Sequence, residues 1–188
     1  MLFAKETLDN LEKNGTGKKI PFGIHLNNSV TSVELGERWL DFNYESVDGS
    51  IHNKRVWFPE LGKVLVNDGE TQQDALKRAD EQAFSHLVKH MRIFLSPEEL
   101  NLFSAPDIRT AATNCAAILA PRLKNKKVNL KLIYDKEGQW SVFGNFPDYI
   151  EEYIEDVPTK LKFTDWELKN RCTPKAAEVE QKDETRLY

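Results

Sequence analysis

The segment Leu40–Glu60 combines two kinds of side chain that often act together in ligand binding, flat aromatic rings and cationic groups. Aromatic rings stack on the faces of unpaired bases, and each such contact contributes about 1–3 kcal/mol whatever the base. Lysine and arginine neutralise phosphates without reading sequence. The combination therefore predicts a surface for single-stranded nucleic acid. The candidate residues of this surface are Arg38 and Trp39, which directly precede the segment, and His52, Lys54, Arg55, Trp57 and Phe58 within it.

Asp48-Gly49 divides this segment into two β-prone arms and is a strong signal for a tight turn. A two-residue turn at this point pairs Trp39 with Phe58 and Asn43 with Lys54, and paired side chains share one face of a hairpin. The face predicted to be exposed for binding carries Trp39, His52, Lys54 and Phe58. The face predicted to cover the core carries Leu40, Phe42, Tyr44, Ile51, Trp57, Arg55 and Asn53. With the faces reversed, Arg55 and Trp57 become the better candidate pair.

A second cationic stretch follows further along the chain, although the formal net charge is -4. Residues 122–136 contain six bases and one acid, whereas residues 137–157 contain six acids and no base. The basic run leads into a predicted strand, where its lysines can extend a binding groove. Such a run is also typical of a solvated linker. The candidates in this stretch are Lys126, Lys127 and Lys131.

The sequence lacks the patterns of the common catalytic sites, including phosphate loops and nucleophile elbows, so an enzyme is not expected. His86 and His90 lie four residues apart without the glutamate of a metalloprotease, and neither a metal nor a cofactor is predicted. Cys115 and Cys172 stand in no redox or metal spacing, which favours a reducing cytoplasm. No apolar run approaches the ~18 residues that span a membrane, and residues 1–19 do not resemble a secretory signal.

The periodicity of apolar residues predicts the elements that position these candidates. Alternation over residues 20–37 predicts a long first strand, bent or bulged near Asn27-Asn28. The two arms of the hairpin follow as the second and third strands. Apolar residues at three- and four-residue steps over residues 70–95 predict an amphipathic helix. Two further helices are predicted, one capped by Ser96 and one over residues 106–123, before a second hairpin formed by residues 127–135 and 139–146.

Three antiparallel strands, a helical insertion and two more strands are the layout of the OB-fold, a five-stranded Greek-key barrel. Other mixed α+β folds also fit this order. The predicted fold class is thus α+β, with an OB-type barrel favoured by the long first strand. We expect one domain over residues 1–171, with the helical insertion at about 70–122. Residues 172–188 are predicted to form a polar, flexible tail.

Residues 22–60 and 126–150 resemble the single-stranded DNA-binding proteins of crAss-like tailed phages. The resemblance is carried by Phe22-Gly23-Ile24-His25, the Leu40-Asp41-Phe42 strand, the Asp48-Gly49 turn before Trp57, and the hairpin from Tyr134 to Phe146. It implies an OB barrel that coats and protects single-stranded DNA during phage DNA replication or recombination in the host cytoplasm. Replication proteins are the further partners that it implies. The nearly neutral end of the chain, residues 175–188, differs from the acidic tails that recruit partners in related proteins, so that role is not transferred.

The main alternative is a non-catalytic protein-interaction or structural module of a replication or virion assembly. The net negative charge and the sizeable helical insertion suit such a module. Its exposed aromatic side chains then contact protein instead of bases. Affinity for poly-dT that drops steeply with salt distinguishes a nucleic-acid binder from this alternative.

Overall fold

The computed structural model describes residues 22–135, 141–144 and 148–172. The predictions for residues 1–19, for a turn at 136–138 and for the tail beyond residue 172 lie outside these ranges. The described residues form an α+β fold in which helices pack on an antiparallel sheet. Within them, no helix combines the length and the apolar character that crossing a membrane requires.

The sheet has six strands in the described part of the chain. They are β1 (Gly23–Leu35), β2 (Trp39–Glu45), β3 (Ile51–Trp57), β4 (Lys127–Tyr134), β5 (Ser141–Phe143) and β6 (Ile150–Glu152). They follow the order β3-β2-β1-β4-β5, and β6 also pairs with β4. All of these pairings are antiparallel. The first half of β1 pairs with β4 and its second half pairs with β2, so β1 joins the two hairpins.

The irregularity predicted in the first strand is confirmed. The register of β1 against β4 shifts between His25 and Asn28, and Asn27 between them has a positive φ of 59°. A second shift, against β2, lies between Val30 and Ser32. Bulges of this kind bend a strand and increase its twist. They therefore allow one strand to change partners along its length.

Helices occupy the interval between β3 and β4, where an insertion is predicted. They are α1 (Gln72–Met91), α2 (Pro97–Leu102) and α3 (Ile108–Leu119), and a further helix, α4 (Asp165–Asn170), lies later in the chain. The predicted start of α2 is confirmed, because Ser96 caps it with Pro97 in the first turn. A capping box at Thr71 begins α1.

The main core lies between the inner face of the sheet and the helices α1 and α3. Leu40, Phe42 and Leu130 contribute to it from the strands, and all three are fully buried. The alanine-rich face of α3 allows close approach, since Ala111 and Ala112 are also fully buried. One face of the hairpin formed by β2 and β3 covers this core, and we call it the inner face. The opposite face is the outer face, and it is available for other roles.

The predicted closed five-stranded barrel is not found, and the sheet is open. The ladder between β4 and β5 covers only three residue pairs, and β5 does not pair with β3 in the described residues. Within the described residues, side chains of β5 and β3 nevertheless meet. The ring of Phe143 lies 4.8 Å from that of His52, centroid to centroid. The strand β6 was not predicted from the sequence.

Residues 161–171 pack on the outer face of β4. Lys131 is fully buried there and forms a salt bridge with Glu167, with 3.0 Å between Nζ and Oε2. Phe163 stacks on Phe22 at a centroid distance of 5.1 Å, which ties this segment to the start of β1. As a result β4 is buried on both faces, whereas the sequence predicts one apolar face.

Candidate functional site

A three-residue loop, residues 47–49, joins β2 to β3 in place of the predicted two-residue turn. The amide of Ser46 donates to the carbonyl of Ser50 at 2.8 Å, and the amide of Gly49 donates to the carbonyl of Ser46 at 3.0 Å. Gly49 has a φ of 78°, in the left-handed region that favours glycine. The Asp48 carboxylate accepts from the Ser50 amide at 3.0 Å. A glycine in this conformation at the last loop position is the usual form of a three-residue hairpin connection.

The extra loop residue shifts the register of the hairpin by one position. Trp39 lies opposite Trp57, and Asp41 lies opposite Arg55. A shift of one residue moves every side chain of a strand to the other face. The core face predicted for β2 is confirmed, but the face assignment for β3 is wrong. His52, Lys54 and Phe58 lie on the inner side, whereas Arg55 and Trp57 share the outer face with Trp39.

Three flat groups stand together at one end of the outer face, and we call Trp39, Arg55 and Trp57 the stacking platform. The guanidinium carbon of Arg55 lies 4.1 Å from the ring centroid of Trp39 and 5.1 Å from that of Trp57. These distances are typical of cation–π contacts. Trp57 is 57% exposed, which is unusual for so large an apolar side chain. The platform therefore presents stacking surface to solvent.

Asp41 holds the guanidinium of the platform in place. Its carboxylate accepts from Nε of Arg55 at 2.8 Å and from Nη2 at 2.6 Å. These hydrogen bonds raise the pKa of Arg55. The carboxylate of Asp41 is itself buried, so the pair has a fixed, bidentate geometry. The platform thus offers rings and a flat guanidinium, but its cationic charge is balanced.

Polar side chains continue the outer face beyond the platform. Asn43 donates to Glu34 at 3.0 Å, and Asn53 donates to the side-chain oxygen of Asn43 at 2.9 Å. These groups come from three neighbouring strands, β1, β2 and β3, and form one hydrogen-bonded row. Amides in such a row can exchange hydrogen bonds with the polar edges of a ligand.

The far end of the outer face is basic. Ser29 lies opposite both Glu45 and Lys127, and its hydroxyl accepts from Nζ of Lys127 at 2.7 Å. A cleft of about 260 Å³ adjoins it and is lined in part by Lys124, Lys126 and Lys127. Since a strand rises ~3.3 Å per residue, Trp39 and Glu45 are separated by about 20 Å along β2. The outer face therefore runs from two tryptophans to a lysine-lined cleft.

The other predicted cations are largely occupied by intramolecular partners. Lys131 cannot contact a ligand because it is buried against Glu167. Lys126 forms a salt bridge with Glu152 of β6 at 2.5 Å, so the basic and acidic runs of the sequence meet in the fold. Arg38 pairs with Glu60 beside a cleft of about 290 Å³ that Trp57 and Phe58 also line.

The histidines of α1 serve the packing of the helix. His90 is buried, stacks on Phe42 at 3.8 Å, and has Nδ1 2.8 Å from the carbonyl oxygen of His86. Nowhere in the described residues do three or more histidine, cysteine or acidic side chains gather as a metal site.

Several residues of the outer face were not identified from the sequence, namely Asp41, Asn43, Asn53 and Glu34. A three-residue loop with glycine at its last position is the signal that places Asp41 opposite Arg55. The inner-face neighbours of Lys54, among them Lys89 and Tyr149, come from distant parts of the chain and have no local signal.

Comparison with known proteins found no matching family model, no matching curated protein and no matching solved structure. The resemblance to single-stranded DNA-binding proteins of phages therefore stays a prediction.

Proposed function

We propose that this chain is a non-enzymatic protein that binds single-stranded DNA without sequence preference along the outer face of β1, β2 and β3. The observation that carries the proposal is the stacking platform, in which Trp39, Arg55 and Trp57 stand side by side on a solvent-facing surface. Unpaired bases stack on such groups whatever their identity, at about 1–3 kcal/mol each. Duplex DNA does not expose these base faces.

The rest of the outer face supports the same function. The amides of Asn43 and Asn53 can bond to base edges, and Lys124 and Lys127 beside the far cleft can neutralise phosphates. A strand laid along this face meets rings at one end and cations at the other. Its length of about 20 Å along β2 accommodates the few nucleotides that a small OB-type site binds, roughly four or more.

An OB-type architecture is part of this proposal. It is supported by the long, bulged β1, by the helical insertion between β3 and β4, and by the contact of His52 with Phe143 between the two outer strands. In OB-folds the ligand surface is centred on the second and third strands. The biological setting that we propose follows from the resemblance, and it is the coating of single strands during phage DNA replication or recombination, with replication proteins as further partners.

One observation favours a second function, that of a protein-interaction module. Glu34, Asp41 and Glu45 place carboxylates on the same outer face as Arg55. Acidic groups around exposed aromatics repel phosphates and suit a protein ligand with basic side chains. Aromatic anchors are common at the centres of protein interfaces.

Fluorescence titration with an oligothymidylate tests the proposal. We expect Trp57→Ala to weaken binding about tenfold, the equivalent of one lost stacking contact. Trp166→Ala is the matched control, because Trp166 is also 57% exposed but lies on α4. Wild-type affinity should fall as salt rises. Equal loss in both variants, or binding that is absent at low salt, would contradict the proposal and favour the protein-interaction module.

A further inference from the structure

Lys54 ends beside two aromatic rings on the inner face of the hairpin. Its Nζ atom lies 5.1 Å from the ring centroid of Tyr149 and 5.5 Å from that of Phe143. In the described ranges of the chain, no carboxylate forms a salt bridge with this ammonium group or raises its pKa. The two rings shield the ammonium from water without balancing its charge.

Lys89 of α1 brings a second ammonium group to the same tyrosine. Its Nζ atom also lies 5.1 Å from the ring centroid of Tyr149. The carboxylate of Asp148, which is 52% exposed, lies 3.7 Å from this Nζ atom. His86, on the same helix, has Nδ1 3.0 Å from the hydroxyl oxygen of Tyr149. Nitrogen atoms from β3 and α1 therefore gather around one buried phenol.

Burial disfavours the charged forms of two groups in this cluster, Lys54 and His86. Burial, and then repulsion by Lys89, lower the pKa of Lys54 to about 8. Burial, followed by the charges of the two lysines, lowers the pKa of His86 to about 4. A partly buried ammonium that gives up hydration without gaining a counter-charge destabilises the fold, and charges in proteins are usually paired when they leave water. The cluster is therefore suited to an anion.

We propose that Lys54 and Lys89 together bind an oxyanion of the phosphate type in front of Tyr149. An ammonium is a compact charge with three donors and is a common phosphate ligand. An oxyanion bound by both groups offsets their mutual repulsion and supplies acceptors to Lys54. Solvent still reaches the cluster, since the side chain of Lys89 is 18% exposed. The site lies on the opposite face of the hairpin from the stacking platform, so it does not depend on the proposed function.

Thermal unfolding in phosphate and in chloride at equal ionic strength tests this site. A ligand that binds the folded state raises its melting temperature, so phosphate should stabilise the wild-type chain more than chloride does. We expect Lys54→Met and Lys89→Met each to weaken phosphate binding about tenfold or more, because one charge-assisted hydrogen bond is lost. Lys77→Met is the matched control, since Lys77 is exposed on the same helix. An equal phosphate effect in Lys54→Met and Lys77→Met, or no effect in the wild type, overturns the proposal.

Nuclear magnetic resonance of isotope-labelled lysine side chains gives a readout that a purely structural role would not move. A bound oxyanion should raise the pKa of Lys54, because a nearby negative charge favours the ammonium form. Inorganic phosphate and an oligothymidylate serve as separate probes. A rise with the oligonucleotide but not with inorganic phosphate assigns the bound group to a nucleic-acid backbone. A rise with inorganic phosphate, in the wild type and in Trp57→Ala alike, identifies a free ion, and no rise with either probe refutes the site.

Discussion

The indole ring of Trp39 lies directly against Gly36 in the turn between β1 and β2. A Cβ atom at position 36 would stand 2.3 Å from Cε2 of Trp39 and 2.6 Å from Cδ2. The amide of Gly36 also donates to the carbonyl of Trp39 at 2.8 Å, which fixes the turn below the ring. The missing side chain at position 36 thus determines where one of the two tryptophans of the stacking platform lies.

Gly36→Ala should displace the ring of Trp39 and weaken oligothymidylate binding by up to about tenfold, the loss of one stacking contact. The added methyl group occupies the present position of the indole, and a ring is not a flexible side chain that can yield easily. Fluorescence titration measures the affinity, and the tryptophan emission maximum reports the displacement. Leu35→Ala is the control beside the same turn, because Leu35 at the end of β1 is 45% exposed and its truncation adds no atom near the ring. Unchanged affinity in Gly36→Ala would remove Trp39 from the binding surface.

Asp41→Asn should make binding more sensitive to salt. The substitution keeps the shape of the side chain but removes the charge that balances Arg55. A guanidinium that gains one phosphate contact steepens the slope of log K against log salt by about 0.7 for a single strand. Titrations at several salt concentrations measure this slope. Glu45→Gln removes an exposed charge from the same face without freeing Arg55, and an equal change of slope in that variant would argue against the prediction.

Glu167→Gln should destabilise the fold by about 3–5 kcal/mol, because it removes the carboxylate that balances the buried ammonium of Lys131. Urea unfolding followed by circular dichroism measures the free energy of unfolding. Lys126→Met is the matched control, since it breaks the more exposed pair with Glu152, which contributes at most about 1 kcal/mol. Lys131→Met should not affect oligothymidylate affinity in protein that remains folded, because Lys131 is buried. Loss of binding in folded Lys131→Met would show that Lys131 contributes to the interface.

Stability should fall as the pH decreases below 6.5. Burial is the main cause that lowers the pKa of His86 from 6.5 to about 4 and that of His90 to about 3. As the pH falls from 6.5 towards these lowered pKa values, the histidines of the unfolded chain take up protons that those of the folded chain do not. The free energy of unfolding therefore decreases with falling pH. His86→Gln should flatten this dependence between pH 6.5 and 4 in urea unfolding series. Above pH 6.5 the free energies of unfolding of the variant and the wild type should differ by a constant amount. If the two free energies run parallel over the whole pH range, His86 does not cause the pH dependence.

The inner face of β2 was predictable because it depends on local alternation alone. Leu40, Phe42 and Tyr44 form a period-two pattern that only one face of a strand can bury. The faces of β3 depend instead on the length of one loop. Asp48-Gly49 fits a two-residue turn, but with Gly49 as its last residue it also fits a three-residue turn. The alternation within β3 does not decide between them, since His52 and Lys54 are no more apolar than Asn53 and Arg55.

The burial of Lys131 and the pairing of Lys126 could not be inferred from the sequence, for a different reason. Lys131 alternates with Leu130 and Leu132 in a pattern typical of a strand with one solvated face. Its burial depends on Glu167, which lies 36 residues later and is held over β4 by residues 161–171. The pairing of Lys126 with Glu152 likewise depends on β6, a strand of three residues. Contacts between such distant, short segments leave no periodic signal in the sequence.

The loop at residues 47–49 has a consequence for how this chain can vary in evolution. An insertion or deletion of one residue there would turn β3 over, so that lysine and histidine face outwards while arginine and tryptophan enter the core. Surface loops usually tolerate changes in length, but the length of this loop determines which side chains of β3 are exposed on the outer face. We therefore expect descendants that retain the same ligand to conserve the number of residues in this loop more strictly than their identities.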